Sequence, residues 1–403
     1  MKRVLILSTY TIKDPVGGGQ KRVAALVDQY RTAGHDVKHV AIYIDTTHTG
    51  VEQSDIAITL DDYKDNPLIY VIGDLLLADS LEKHDAAREK FLGLVREFSP
   101  DVVQVEQSFL YKTVRGALDS IQWDGVMVNS THNIEAPLKQ EILSSADNIN
   151  LSEQEIQEIV SDIDVLERFA AQDADYTIAC TLSDAEELER FGATDVILAP
   201  NGIERTALNR VEIAKVRLAF SKRGVNRVIL YVGSGHPPNL TGFVELIGAK
   251  VGFLADDTRL VVAGGVANLI YDYIQKQPNY IRTIFLRKVD LVGMVTESRL
   301  SALLHVADQI ILPIVEGGGS NLKTAEALLA DKRIVATAKS FRSYEKYLEL
   351  PNIIIADTPP EFRQAMSVSI DSKKVRRTHA EQKLADGVQW RNTLSDAVER
   401  LNS

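Results

Sequence analysis

Along nearly the whole chain, short apolar runs alternate with longer stretches whose apolar residues recur at helical spacing. Val4-Leu-Ile-Leu7 has the length of a buried strand and leads into a Pro/Gly loop, Thr11 to Gly19. Val23, Leu26, Val27 and Tyr30 then form a stripe that predicts a helix over Gln20 to Ala33, closed by Gly34-His35, with Val37 to Ile44 as the next strand. Strand, helix, strand, with both strands apolar throughout, is the opening unit of a doubly wound parallel sheet. The alternation continues with a helix over Leu81 to Phe98, a strand to Glu106 and a helix over Thr113 to Ile121. A strand from Val126 then runs out into Thr131-His-Asn-Ile-Glu135. Residues 137 to 172 read as one long, charged helical segment with an acidic, solvated middle. The strand Tyr176 to Cys180 follows, then a helix to Phe191 for which Ser183 and Glu186 offer a capping box, and a short strand ended by Pro200-Asn-Gly202.

The second half repeats the pattern. Strands are expected at Arg227 to Gly233, Arg259 to Gly265, Ile310 to Val315 and Arg333 to Thr337, with helices over Leu240 to Phe253 and Arg299 to Ala307. Ile284-Phe-Leu286 and Val289 to Val292 flank a basic turn, and Ala385 to Asn402 closes as an amphipathic helix. Two Rossmann-like α/β domains are therefore expected, residues 1–203 and 204–384, with 385–403 as a helix packing back on the first.

The richest stretch is Ile310 to Leu329, where an apolar strand breaks at Gly317, Gly318 and Gly319 and restarts as a helix that Ser320 or Asn321 can cap. Strand, glycine loop and helix start turn backbone N–H groups and the positive end of a helix toward a phosphate. Lys323 adds a full charge in the first turn, and Glu316 and Glu326 bracket the loop with acceptors for sugar or ribose hydroxyls. The plainer alternative is a tight turn whose glycines only permit positive φ. At the N-terminus, Gly17, Gly18 and Gly19 lack dinucleotide-fingerprint spacing; they bring backbone close to a ligand or allow a turn. His132, Asn133 and Glu135 sit at the C-terminal end of a strand, where ligands collect in open parallel sheets.

Composition narrows the classes. A formal net charge of -11 argues against broad nucleic-acid binding and against a polybasic membrane patch. The single cysteine, Cys180, lies in an apolar run and reads as a buried structural thiol; it excludes an intrachain disulfide or a cysteine zinc cluster. No metal-ligand spacing, signal peptide or bilayer-length run is present, so the expectation is a cytoplasmic protein whose membrane contact, if any, is peripheral.

Several of these residues resemble a known family. The Gly17-Gly18-Gly19 loop, Leu198-Ala-Pro-Asn-Gly-Ile203, Tyr231-Val-Gly233, Gly293-Met-Val-Thr-Glu297 and, most specifically, Gly317-Gly-Gly-Ser-Asn-Leu-Lys-Thr-Ala-Glu-Ala327 are similar to GT-B retaining glycosyltransferases of family 4. The resemblance spans essentially the whole chain. It implies a nucleotide-sugar donor held by the C-terminal domain, a carbohydrate or lipid-linked acceptor held by the N-terminal one, reaction in the cleft between, and no cofactor or metal. By the same resemblance Glu326 meets the nucleotide ribose, while Gly318, Gly319, Ser320, Asn321 and Leu322 line the diphosphate and sugar. Lys323 neutralises the diphosphate, Gly293, Met294 and Val295 lie by the base, and His132 lies beside the donor sugar. Retention would proceed by front-face attack, the departing phosphate taking the acceptor's proton, with donors placed where charge develops. The role implied is synthesis of a cell-surface polysaccharide or glycoconjugate.

Two departures stand out. The family's acidic pair would put its first acid at Gly318, and Glu316 is two positions early. Its basic pair after the first strand of the second domain is missing, since Gly233 to Asn239 offers only His236. A variant donor site is the expectation, with a sugar-nucleotide epimerase or a non-catalytic nucleotide-sugar binding module as the alternatives.

Overall fold

A computed structural model of the chain describes residues 1–45, 51–60, 66–145, 149–317, 321–371 and 377–403. The chain divides into two compact units, one of Met1–Asn201 with Thr393–Ser403, the other of Gly202–Asn392.

In the N-terminal unit the elements run β1 (Arg3–Ser8), α1 (Gly18–Thr32), β2 (Asp36–Ile44), β3 (Ile56–Ile58), α2 (Ile69–Lys83), α3 (Asp85–Phe98), β4 (Val102–Glu106) and α4 (Tyr111–Asp119). They continue with β5 (Val126–Ser130), α5 (Glu135–Ser145), α6 (Glu153–Asp173), β6 (Tyr176–Ala179), α7 (Leu182–Phe191) and β7 (Val196–Leu198). The seven strands form one sheet, order β3-β2-β1-β4-β5-β6-β7, with every pair parallel. Val4 to Leu7 is fully buried, as strands covered by helices on both faces require.

The C-terminal unit runs α8 (Arg210–Ser221), β8 (Arg227–Val232), α9 (Pro237–Leu246), β9 (Thr258–Ala263), α10 (Val266–Gln275), α11 (Asn279–Lys288), β10 (Val289–Gly293) and α12 (Glu297–Val306). Then come β11 (Gln309–Leu312), α13 (Leu322–Leu329), β12 (Arg333–Ala336), β13 (Ile353–Ile355), α14 (Pro359–Asp371), α15 (His379–Asp386) and α16 (Trp390–Thr393), the last reaching the junction. Its six strands are again all parallel, order β10-β9-β8-β11-β12-β13. Ile203 pairs with this unit's last segment, its N–H bonding Val388 O at 3.0 Å. The final helix, α17 (Ser395–Asn402), belongs to the N-terminal unit. There Arg400 bonds Asp195 at 2.9 Å and lies over the Tyr176 ring, Asn402 meets His35 at 3.0 Å, and Ala397 and Leu401 are buried.

Several local expectations are corrected. The helical stretch 81–98 is broken at His84, whose backbone is extended (φ -99°, ψ 90°), so α2 and α3 are separate. Residues 137–172 form two helices, and Ser152 starts the second with a reciprocal Glu155 capping box. Thr181, not Ser183, caps α7, its hydroxyl accepting the Asp184 N–H at 2.9 Å. Ile284 to Leu286 lie in α11, where Phe285 faces the core and Ile284 and Leu286 face outward. Helix α9 starts at Pro237 and ends at Leu246, and 385–403 holds the end of α15, then α16 and α17, in place of one helix.

Candidate functional site

Each sheet reverses its strand order once, between β1 and β4 in the N-terminal unit and between β8 and β11 in the C-terminal one. The connections leaving such a point diverge to opposite faces, and the crevice at the strands' C-terminal ends is where parallel sheets bind ligands. The residues singled out in the sequence cluster at these two places.

In the C-terminal unit, the loop after β8 and the loop after β9 touch backbone to backbone. A Cβ on Gly264 would lie 2.2 Å from Gly233 O, and its φ of +92° disfavours any side chain. The Gly264 N–H bonds Gly293 O at 2.7 Å and the Val266 N–H bonds Gly233 O at 3.1 Å, so Gly233 and Gly293 are held together at the ends of three adjacent strands. Met294, next to Gly293, is 73% exposed, and Val295 is half-buried against the core. His236 takes the N-cap position of α9, exposed and with no side-chain cap bond.

Asn239 carries no signal in the sequence beyond its place after a strand. It lies in the first turn of α9, buried, its Nδ2 donating to Ser234 O at 2.9 Å and to Ser234 Oγ at 3.1 Å. Tyr231 Oη donates to its backbone O at 2.8 Å. Its Oδ1 accepts a hydrogen bond from Lys323 Nζ, which arrives from α13 on the other side of the β8/β11 reversal. Burial pushes the Lys323 ammonium down to about 8, opposed in part by the Glu326 carboxylate one turn on. The loop after β8 carries no lysine or arginine, and a cation reaches it from the neighbouring helix.

Leu322 opens α13, and Asn321 holds its N-cap position without a side-chain cap bond; its Nδ2 is buried with no partner. Glu316 is half-buried before Gly317, while Gly318, Gly319 and Ser320 lie outside the described residues. Two further cations reach this segment from the turn after β12: Lys339 Nζ donates to Val315 O at 2.9 Å and Arg342 Nη1 to Gly317 O at 2.6 Å. Their signal in the sequence was only their place beyond a strand's C-terminal end.

In the N-terminal unit, Gly17 precedes α1 and Gly18 begins it, and Gln20 laces the loop. Gln20 Oε1 accepts the Val16 and Gly17 N–H groups at 3.0 and 2.9 Å, and Gln20 Nε2 donates to Thr11 O at 2.9 Å. Gly19 packs against a pair of rings: a Cβ there would meet Tyr10 Oη at 2.8 Å and the His132 ring at 3.1 Å. His132 Nδ1 is 3.3 Å from Tyr10 Oη, and its Nε2 is 3.0 Å from Glu106 Oε2. Burial, and then the charge of Glu106, raises the Tyr10 phenol well above its usual pKa, which keeps it a donor. Asn133 Nδ2 donates to Glu135 at 3.1 Å, and burial raises the Glu135 carboxyl. Cys180 is buried, its thiol bonding Thr131 O at 3.3 Å and pushed up to about 11 by burial.

Among the described residues no group of His, Cys, Asp and Glu could hold a metal ion, and no helix is long and apolar enough to cross a membrane.

The architecture is the GT-B fold, two parallel-sheet Rossmann-like domains in one chain. No protein-family model matches the chain, and no curated protein matches it in sequence. Solved structures do. A sucrose-phosphate synthase from Thermosynechococcus elongatus superimposes with a TM-score of 0.71 at 13% identity, over 100% of this chain and 98% of that one. HepE from Anabaena, solved with UDP and glucose, gives 0.65 at 14% identity over 100% of both chains. A UDP-forming α,α-trehalose-phosphate synthase from Burkholderia vietnamiensis gives 0.64 at 13%, over 100% of this chain and 97% of that one.

Proposed function

We propose that this chain is a retaining, metal-independent glycosyltransferase of the family 4 type, binding a nucleotide-sugar donor through its C-terminal unit and a carbohydrate or lipid-linked acceptor through its N-terminal unit. The observation that carries the reading is the Asn239–Lys323 bond across the β8/β11 switch point. It sets a desolvated cation at the start of a helix, beside glycine loops held backbone to backbone. A diphosphate leaving group needs this combination, because its charge develops where the lysine and the helix N-terminus already point. Glu326 is the acceptor for the ribose, Met294 and Val295 flank the base, Glu316 and His236 border the donor, and His132 contacts the transferred sugar. The Gly17–Gly19 loop meets phosphate or acceptor. The bound UDP and glucose named for HepE support a uridine diphosphate sugar as the first donor to try.

The test is a thermal-shift screen against nucleotides and nucleotide sugars. Binding to the native state raises apparent stability, by about 2.7 kcal/mol at a hundredfold excess over Kd. A shift with UDP or UDP-sugars that is lost in Lys323→Ala supports the reading. No shift with any nucleotide would overturn it. Incubation with UDP-N-acetylglucosamine alone separates transfer from epimerisation: a transferase leaves the sugar's configuration unchanged.

A further inference from the structure

Glu106 carries no signal in the sequence beyond ending a strand, yet three side chains of the N-terminal switch point converge on it. It is fully buried at the end of β4. Oε1 accepts from Gln104 Nε2, whose own Oε1 accepts from Tyr30 Oη at 3.0 Å. Oε2 accepts from Ser130 Oγ at 3.1 Å and faces His132 Nε2 at 3.0 Å. The β4–β5 register sets Glu106 directly opposite Ser130, and His132 follows two residues on, so the sheet itself brings the three side chains together. A chain of bonds thus runs beneath α1 from Tyr30 in its last turns to the Tyr10–His132 pair packed on its first.

A carboxylate offers lone pairs only, so the proton in the Glu106–His132 bond sits on Nε2. Nδ1 is then the atom turned to Tyr10, and the phenol donates to it. His132 is 10% exposed at its side chain, and its ring packs close to Gly19.

We propose that Glu106 is a positioning residue acting through His132. It locks the imidazole in the Nε2–H form, with Nδ1 offered as the hydrogen-bond acceptor for a sugar hydroxyl that takes the place of the Tyr10 phenol. The sugar half of this inference rests on the glycosyltransferase reading; the tautomer half does not. An acceptor nitrogen of fixed direction discriminates sugars by where a hydroxyl points, because a hydroxyl elsewhere leaves a buried acceptor unpaired.

The experiment pairs spectroscopy with binding. Long-range nitrogen–proton spectra of histidine-labelled protein, with His132 assigned by its absence in His132→Ala, report the tautomer without any ligand. The wild type should show Nε2–H, and a bare Nε2 with a proton on Nδ1 overturns the proposal. Glu106→Met removes both acceptor oxygens, and the His132 signal should leave the pure Nε2–H form, whereas Ser130→Ala, which keeps the carboxylate, should leave it unchanged. Losing one neutral hydrogen bond is typically worth about two- to tenfold in affinity. Glu106→Met should therefore weaken UDP-glucose by about that factor while UDP alone binds as before. In the His132→Ala background the same substitution should add little, since the two residues act as one unit. Equal losses for UDP and UDP-glucose, or an undiminished effect in the His132→Ala background, mean a merely structural role and overturn the proposal. If wild-type protein binds neither nucleotide, the glycosyltransferase reading falls, and the tautomer measurement still decides the role of Glu106.

Discussion

The two switch points share a topology and are built from opposite materials. In the N-terminal unit the space at β1/β4 is filled by side chains: Tyr10, Gln104, Glu106, Ser130 and His132 bond one to the next, with Gly19 closing over them. In the C-terminal unit the loops after β8, β9 and β10 meet through backbone, glycine against glycine, and one lysine crosses the gap. A side-chain network orients a single group with precision and leaves few free donors. A backbone construction ties loop to loop and, at Gly264, tolerates no added carbon. On the proposed function, the first would choose among sugars and the second would grip a phosphate.

The comparison can be broken most severely at Lys323. Lys323→Ala should lower turnover by at least about a hundredfold, the scale of losing one charge-stabilising donor, with the melting temperature little changed because the residue is in the first turn of α13. Next come the two glycines. Gly264→Ala drives a methyl into the Gly233 carbonyl, which is backbone, so a loss of about 1–3 kcal/mol in urea unfolding is expected. Gly19→Ala meets the tip of Tyr10 and the His132 ring, which are side chains that can yield. Its expected signature is weakened UDP-glucose affinity with a smaller stability loss than Gly264→Ala.

The pH dependence follows from Lys323. With its ammonium pushed down to about 8, donor affinity should fall as pH rises through 8, a trend absent in Lys323→Arg. The stability linkage has the opposite sign. A lysine whose folded pKa lies below its unfolded value near 10.5 makes the protein more stable as pH rises between the two, and urea unfolding over that window reads it.

The smallest expected effect lies at Glu167, buried in α6, whose oxygens accept the N–H groups of Glu135 and Ala136 at 2.7 and 3.0 Å. Burial raises it to about 7 despite those bonds. Its protonated form contributes stability that is complete below the unfolded value near 4.5 and is lost as pH rises through 7. Glu167→Gln should flatten that slope.

Much of this was legible beforehand because a buried parallel strand can hardly be anything but a run of apolar residues; Val4 to Leu7 and Arg227 to Val232 needed no context. Short apolar triplets carry no such information, and Ile284-Phe-Leu286 serves a helix as well as a strand. Thr181 displaced Ser183 as a cap because the helix starts two residues sooner, at Leu182, than hydroxyl spacing alone could show. The site was harder. Lys323 and the glycine loops were visible as a local motif, but Asn239 lies 84 residues from its partner and becomes meaningful only when the sheet places β8 beside β11. Glu106 was hidden for the same reason: its partner His132 is 26 residues away, and only the β4–β5 register joins them.

The path of the chain through its two units has a consequence for biosynthesis. The C-terminal unit, Gly202–Asn392, is an insertion within the N-terminal one, which is completed only by Thr393–Ser403. On the ribosome, the strands ending at Leu198 emerge long before α17, so Tyr176, Asp195 and His35 wait for Arg400 and Asn402 until the whole second unit has been made. The domain that starts first therefore finishes last, and a chain released at residue 392 would carry a complete second unit beside a first one with an uncovered face.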